Sequence, residues 1–126
     1  MKNVISTDKA PGAIGPYSQA IEIDNLVYTS GQLGIDPATG AFPEGVQAQT
    51  AQSLENVKAI LASKGLTLDD VIKTTVFIKD MNDFGKINEV YAKYICGDML
   101  PARSCVEVAR LPKDGLVEIE VIALKK

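Results

Sequence analysis

The sequence predicts an α+β fold in which two helices pack on one face of a mixed β-sheet, in the order β-β-α-β-α-β-β. Three observations carry that expectation. Several short segments alternate in polarity or are rich in β-branched residues. Two longer segments repeat apolar side chains every three to four residues. Gly, Pro, Asn and Asp punctuate each change of period. Strands separated by helices imply right-handed crossovers, which put both helices on the same side of the sheet.

Residues 17–23 alternate weakly, Asp24-Asn25 supplies a turn, and residues 26–30 are β-branched and aromatic, which reads as a hairpin. A loop follows through Gly34, Asp36-Pro37 and Thr39-Gly40 to Pro43. Residues 46–64 carry Leu54, Val57, Ile60 and Leu61 on one helical stripe, and Gly65 is a natural stop. Residues 71–79 read as a strand with Ile72, Thr74, Val76 and Ile78 on one face. Residues 82–95 form the second amphipathic helix, with Phe84, Ile87, Tyr91 and Tyr94 in phase and Gly97 beyond its end. Strands at about 103–109 and 116–124 close the chain.

The helix-facing core is then expected to hold Ile72, Val76, Ile78, Val106, Val108, Val117, Ile119 and Val121. Period-two alternation sends Arg103, Cys105, Glu107, Glu118 and Glu120, with Lys73, Thr75 and Phe77, to the opposite face. That face mixes charge with apolar groups and has no helix left to cover it. It is expected to pack against other subunits and to enclose Arg and Glu in a cleft.

The 126 residues fit one domain, 1–126, and a 46 % hydrophobic content is ample for one core. A net charge of −3 and the lack of any basic cluster argue against a nucleic-acid partner. No apolar stretch approaches the ~20 residues that cross a bilayer, and the first residues lack a secretory h-region, so no membrane partner is expected. Two cysteines, Cys96 and Cys105, do not make a disulfide framework, and reduced thiols in the cytoplasm are the simpler reading. There is no histidine. Its absence removes Ser-His-Asp and Cys-His nucleophile systems, histidine ribonuclease chemistry and the usual zinc sites, so neither metal nor cofactor is expected.

Chemistry must then come from carboxylates, Arg, Lys, Tyr, Cys, hydroxyls and backbone. Arg103, in Pro101-Ala102-Arg103-Ser104-Cys105-Val106, offers a planar fork that matches a carboxylate. A hydrogen bond to a charged partner is worth about 1.5–3 kcal/mol, enough to select a carboxylate-bearing substrate. Its structural alternative is an interface ion pair with Glu107, Glu118 or Glu120. Glu118 and Glu120 could position and deprotonate a water, or could simply lie on a solvated strand face. Cys105 is a candidate nucleophile beside Arg103, but no base is available to activate it, and a buried thiol is the simpler role. Gly15-Pro16-Tyr17-Ser18-Gln19 and Ser30-Gly31-Gln32 bracket the hairpin, where glycine permits close approach to a ligand, although turn geometry alone would explain it.

Taken in order, these segments closely resemble the RidA-type reactive-intermediate deaminases, the Rid or YjgF family. The match includes Gln52-Ser53-Leu54-Glu55-Asn56-Val57, Lys73-Thr74-Thr75-Val76-Phe77, Asn88-Glu89-Val90-Tyr91, Leu111-Pro112-Lys113-Asp114-Gly115 and Val117-Glu118-Ile119-Glu120, and runs from about Ile14 to Ala123. The resemblance implies a chorismate-mutase-like fold and a homotrimer with clefts between subunits. It implies hydrolysis of 2-aminoacrylate and 2-aminocrotonate, through their imine tautomers, to 2-oxo acids and ammonia, removing intermediates released by pyridoxal-phosphate enzymes. By position Arg103 matches the carboxylate-binding arginine and Glu118 the water-positioning glutamate. Cys105, Tyr17, Ser30, Gly31 and Asn88 match pocket positions. Residues 96–100 fall where the family varies, and Leu100 stands where an aromatic is common. Other relatives are described as ribonucleases, translation inhibitors or chaperone-like binding proteins, and an isomerase of the chorismate-mutase type would share the fold. The last would want several cations for a dicarboxylate, and only Arg103 is clearly placed.

Overall fold

The computed structural model describes residues 1–125. Its elements are β1 (Lys2–Ile5), β2 (Ala20–Ile23), β3 (Leu26–Thr29), β4 (Gln32–Leu33), α1 (Val46–Ala62), β5 (Val71–Ile78), α2 (Phe84–Tyr94), β6 (Ala102–Glu107) and β7 (Val117–Leu124). Single 3-10 turns at Leu68–Asp70, Met81–Asp83 and Pro112–Asp114 join them. The strands form one mixed sheet in the order β1-β2-β3-β7-β5-β6, with β4 also paired to β7. Among the described residues only the β5–β6 pair is parallel, as its crossover helix α2 requires.

The two helices and the mixed sheet agree with the sequence expectation. The hairpin, both helices and the last three strands lie within a few residues of their expected positions. α1 ends at Ala62 because Gly65, at φ 73°, turns the chain and lets the Leu66 N–H reach back to the Leu61 carbonyl at 3.0 Å. Leu54, Val57, Ile60 and Leu61 of α1 and Ile87 and Tyr91 of α2 pack on Val76, Ile78, Val117, Ile119 and Val121, all buried. β1 and β4 were not expected. Each is short, and β4 exists only because β7 is long enough to pair it beyond β3.

Three expected core positions are overturned. Ile72 is 46 % exposed, because a register shift between Val71 and Lys73 changes the phase of β5 there. Val106 is 43 % exposed and Val108 only half-buried, so neither belongs to the buried core. The parallel register pairs Arg103 with Thr74, Cys105 with Val76 and Glu107 with Ile78. Register partners share a face, so Arg103, Cys105 and Glu107 lie on the helix side and Val106 on the opposite side. On an edge strand, alternation says which residues share a face but not which face is covered. The expectation that Val106 and Val108 face the helices therefore fails, while Val76, Val117 and Val121 do so.

The face away from the helices is nonetheless apolar in part. Val4, Ile21, Tyr28 and Ile122 form one row across β1, β2, β3 and β7, and Phe77 and Val106 continue the row of Glu118 toward the β6 edge. Val4 is 64 % and Tyr28 43 % exposed.

Candidate active site

One candidate site is built where β3, β4 and β7 meet. The Ser30 N–H donates to the Gln19 carbonyl at 2.8 Å, and its hydroxyl donates to the Ser18 carbonyl at 2.6 Å, tying the chain leaving β3 to the chain entering β2. Glycine at the next position leaves the carboxyl its place: a Cβ on Gly31 would stand 2.7 Å from the Glu118 carboxyl carbon and push that side chain aside. Without a side chain at 31, the carboxyl can lie across the backbone. β4 is held from behind by α1, since the Asn56 amide donates to the carbonyls of Leu33 and Ile35 at 3.0 and 2.9 Å. The Thr29 hydroxyl oxygen accepts the Val121 N–H at 3.0 Å, which fixes β7 at the level of the two glutamates.

Glu118 and Glu120 share the helix-distant face of β7 and line a cavity of about 610 Å³, together with Tyr17, Ser30, Gly31 and Lys113. Burial, and secondarily the neighbouring Glu120, raises the Glu118 carboxyl above its ordinary pKa. A carboxylate raised in this way is a better base near neutrality than an exposed one.

The second candidate site is on the other side of the sheet, at its β6 edge. Arg103 donates to Asn88 Oδ1 of α2 at 2.7 Å, and its guanidinium carbon lies 4.8 Å from the Tyr91 ring centre and 5.4 Å from that of Phe84. These cation–π contacts hold the fork flat against α2. Tyr91 is itself fixed by a 2.8 Å hydrogen bond between its hydroxyl and that of Thr74. Among the described residues Arg103 forms no salt bridge. The alternative of an ion pair within the chain to Glu107, Glu118 or Glu120 is therefore not what this fold makes; Glu107 instead accepts the Met81 N–H at 2.8 Å. A cavity of about 310 Å³ opens beside Arg103, walled by Asn88, Tyr91, Ile95 and Leu100.

The site residues named from sequence thus fall into two groups. Tyr17, Ser30, Gly31 and Glu118 come together in the larger cavity, and Arg103 and Asn88 come together at the β6 edge. Two strand spacings and three residues separate Arg103 from Glu118, about 14 Å in the plane of the sheet, and the side chains leave opposite faces. The expectation that they share a face is corrected by the register. Cys105 lines neither cavity and packs half-buried against the core. Burial raises its thiol pKa against the pull of Arg103, which keeps it protonated and unreactive. Sequence reasoning missed Phe84 and Tyr91 as supports for the guanidinium, although their spacing with Asn88, at i, i+4 and i+7, marks one helix face. It missed Lys113 on the cavity wall altogether.

Comparison with known proteins gives this geometry its context. The model of the endoribonuclease L-PSP family matches residues 7–125. A protein of Salmonella typhimurium named 2-iminobutanoate/2-iminopropanoate deaminase is 53 % identical, over 100 % of this chain and 100 % of its own. A RutC family protein of Haemophilus influenzae is 56 % identical over 100 % of this chain and 99 % of its own. Among solved structures, E. coli TdcF with bound serine superposes with a TM-score of 0.94 at 52 % identity, covering 98 % of this chain and 99 % of that one. The E. coli YjgF gene product gives 0.95 at 50 %, with 98 % and 99 % covered.

Proposed function

This chain belongs to the endoribonuclease L-PSP family, the Rid or YjgF group, and we propose that it hydrolyses small 2-imino acids to 2-oxo acids and ammonia in a cleft completed by a second copy of itself. The observation that carries the reading is the division of labour across the sheet. An arginine that pairs with no carboxylate among the described residues is pre-oriented on one edge, and a carboxyl of raised pKa waits in a cavity on the opposite face. The named deaminase relative supplies the substrate class.

A heterologous contact, which generates a ring where its rotation closes, brings two such different surfaces together. The homotrimer proposed here sets the Arg103 edge of one copy against the Glu118 cavity of the next. It covers the apolar rows of the open sheet face, including Val4, Tyr28 and Val106. Arg103 then binds the substrate carboxylate two-to-two, with Asn88 and Tyr91 keeping the fork in place. The C=N carbon is held over the Ser30–Gly31 backbone, and Tyr17 closes the cavity wall.

An imine α to a carboxylate is already electrophilic, and protonation on nitrogen makes it more so. Glu118 holds a water against the C=N carbon and takes its proton as the C–O bond forms. The carbinolamine receives a proton on nitrogen, loses its hydroxyl proton and expels ammonia, so that imine and water give oxo acid and NH₃. General acid–base assistance of this kind contributes about 10²–10⁴-fold. The family model carries a ribonuclease name, but a net charge of −3 and the lack of histidine give RNA cleavage little to work with. The free thiols Cys96 and Cys105 fit a reducing compartment such as the cytoplasm. Among the described residues no helix is long and apolar enough to cross a membrane.

The test generates the enamine in situ with a threonine or serine dehydratase and follows 2-oxo acid release, with semicarbazide trapping escaping imine. Faster release and less trapped imine, both lost on Arg103→Ala, are expected. No acceleration by the folded protein would refute the hydrolase reading.

A further inference from the structure

The turn before β7 carries two consecutive non-glycine residues in left-handed backbone conformation, Lys113 at φ 55° and Asp114 at φ 59°. Each is unfavourable for a residue with a Cβ, and such strain persists only where the surroundings impose it. Here they do. Asp114 pairs with Arg110 at 3.0 Å, and the N–H groups of Asp114 and Gly115 close back on the carbonyls of Leu111 and Pro112 at 3.1 Å each. Gly115 packs so closely that a Cβ on it would stand 2.9 Å from Leu33 of β4.

The result is that Lys113 lines the Glu118 cavity. It is the one cation among the described residues lining that cavity, which also holds two carboxylates, and it forms no salt bridge among the described residues. An anionic substrate approaching Glu118 and Glu120 meets like charge. The exposed Lys113 ammonium on the rim offsets that repulsion.

We propose that Lys113 is a substrate-capturing residue: its ammonium, held on the cavity wall by the strained turn, draws the 2-imino acid carboxylate into the cleft. This rests on the hydrolase reading of the same cleft. Its role is in binding and entry, so it affects kcat/KM and leaves kcat alone.

The experiment measures binding of 2-oxobutanoate, the stable reaction product, to the full-length protein and to its Lys113→Gln, Lys113→Arg and Lys113→Gly variants. Lys58→Gln, on α1 away from the cavity, controls for net charge. Lys113→Gln is expected to weaken binding about fivefold at low ionic strength, and the gap should close near about 0.5 M salt. Lys113→Arg should restore it. Lys113→Gly should raise Tm by relieving the turn and still bind weakly, separating capture from folding. Undiminished binding by Lys113→Gln, or an equal loss in Lys58→Gln, would overturn the proposal. A Lys113-dependent affinity in a protein without imine turnover would support capture while sinking the hydrolase reading.

Discussion

Arg103 and Glu118 are opposite solutions to placing a charge. The guanidinium is left on an exposed edge but immobilised by Asn88, Tyr91 and Phe84, so little conformational freedom remains to be lost when a carboxylate binds. Arg103→Lys keeps the charge and loses both the fork and the stacking, so kcat/KM is expected to fall by about 10²-fold, with most of the loss in KM. Glu118 is held in a partly desolvated cavity beside a like charge, and its carboxyl titrates above the ordinary carboxylate value. As the proposed base it must be ionised, so kcat/KM should decline as pH falls through that raised pKa, at a higher pH than an exposed glutamate would give. Glu118→Gln should remove this limb and cost about 10²–10⁴-fold in kcat with little change in KM. The stability effect has the opposite sign. A raised folded-state pKa means that ionisation disfavours the fold, a cost absent below the unfolded pKa and complete above the folded one. Glu118→Gln should therefore melt higher than wild type at neutral pH but not at acid pH. Both residues were legible as candidates from type and spacing. Their separation was not, because nothing in a single sequence says which face of an edge strand is covered.

At the scale of elements, the short strand β4 does the positioning. Only two residues long, it is held between β7 and α1, where Asn56 donates to the carbonyls of Leu33 and, just beyond the strand, Ile35, and Gly34 packs so tightly that a Cβ would collide with the Gln49 backbone. Gly31→Ala, whose methyl would collide with the Glu118 carboxyl, should fold but lose at least about 10-fold in kcat, as a measured kcat at unchanged secondary structure would show. The long amphipathic helices were readable because their periods persist over many residues, and the hairpin because Asp24-Asn25 marks a turn between its two short strands. β1 and β4 were not, because four and two residues carry too little pattern. Ile72 was misplaced because a register shift leaves no mark on composition.

At the scale of the whole molecule, the sheet carries a polar knot on its helix side and an open apolar face on the other. Glu22, only 7 % exposed, accepts from Lys125 at 2.6 Å and from Asn3 at 3.1 Å and lies 4.0 Å from Lys64, tying the last strand, the first strand and the end of α1. The Lys125 and Asn3 hydrogen bonds lower its pKa. The stability it contributes is present above the unfolded carboxylate pKa and lost as pH falls through the depressed one. Glu22→Gln should flatten the acid limb of a Tm-against-pH profile. The open face accounts for the misassigned Val106. An apolar residue pointing away from the helices fits a sheet that meets another copy, which is where the two halves of the site would join.

Complementation tests that junction most directly. Arg103→Ala and Glu118→Gln chains, each inactive alone, would be denatured together, refolded as mixed assemblies and assayed for imine hydrolysis. If one copy supplies the arginine and the next the glutamate, random mixing restores about a quarter of the wild-type sites, and activity should return to that level. Mixed assemblies as inactive as their parents, with mixing verified by mass, would contradict a cleft shared between copies.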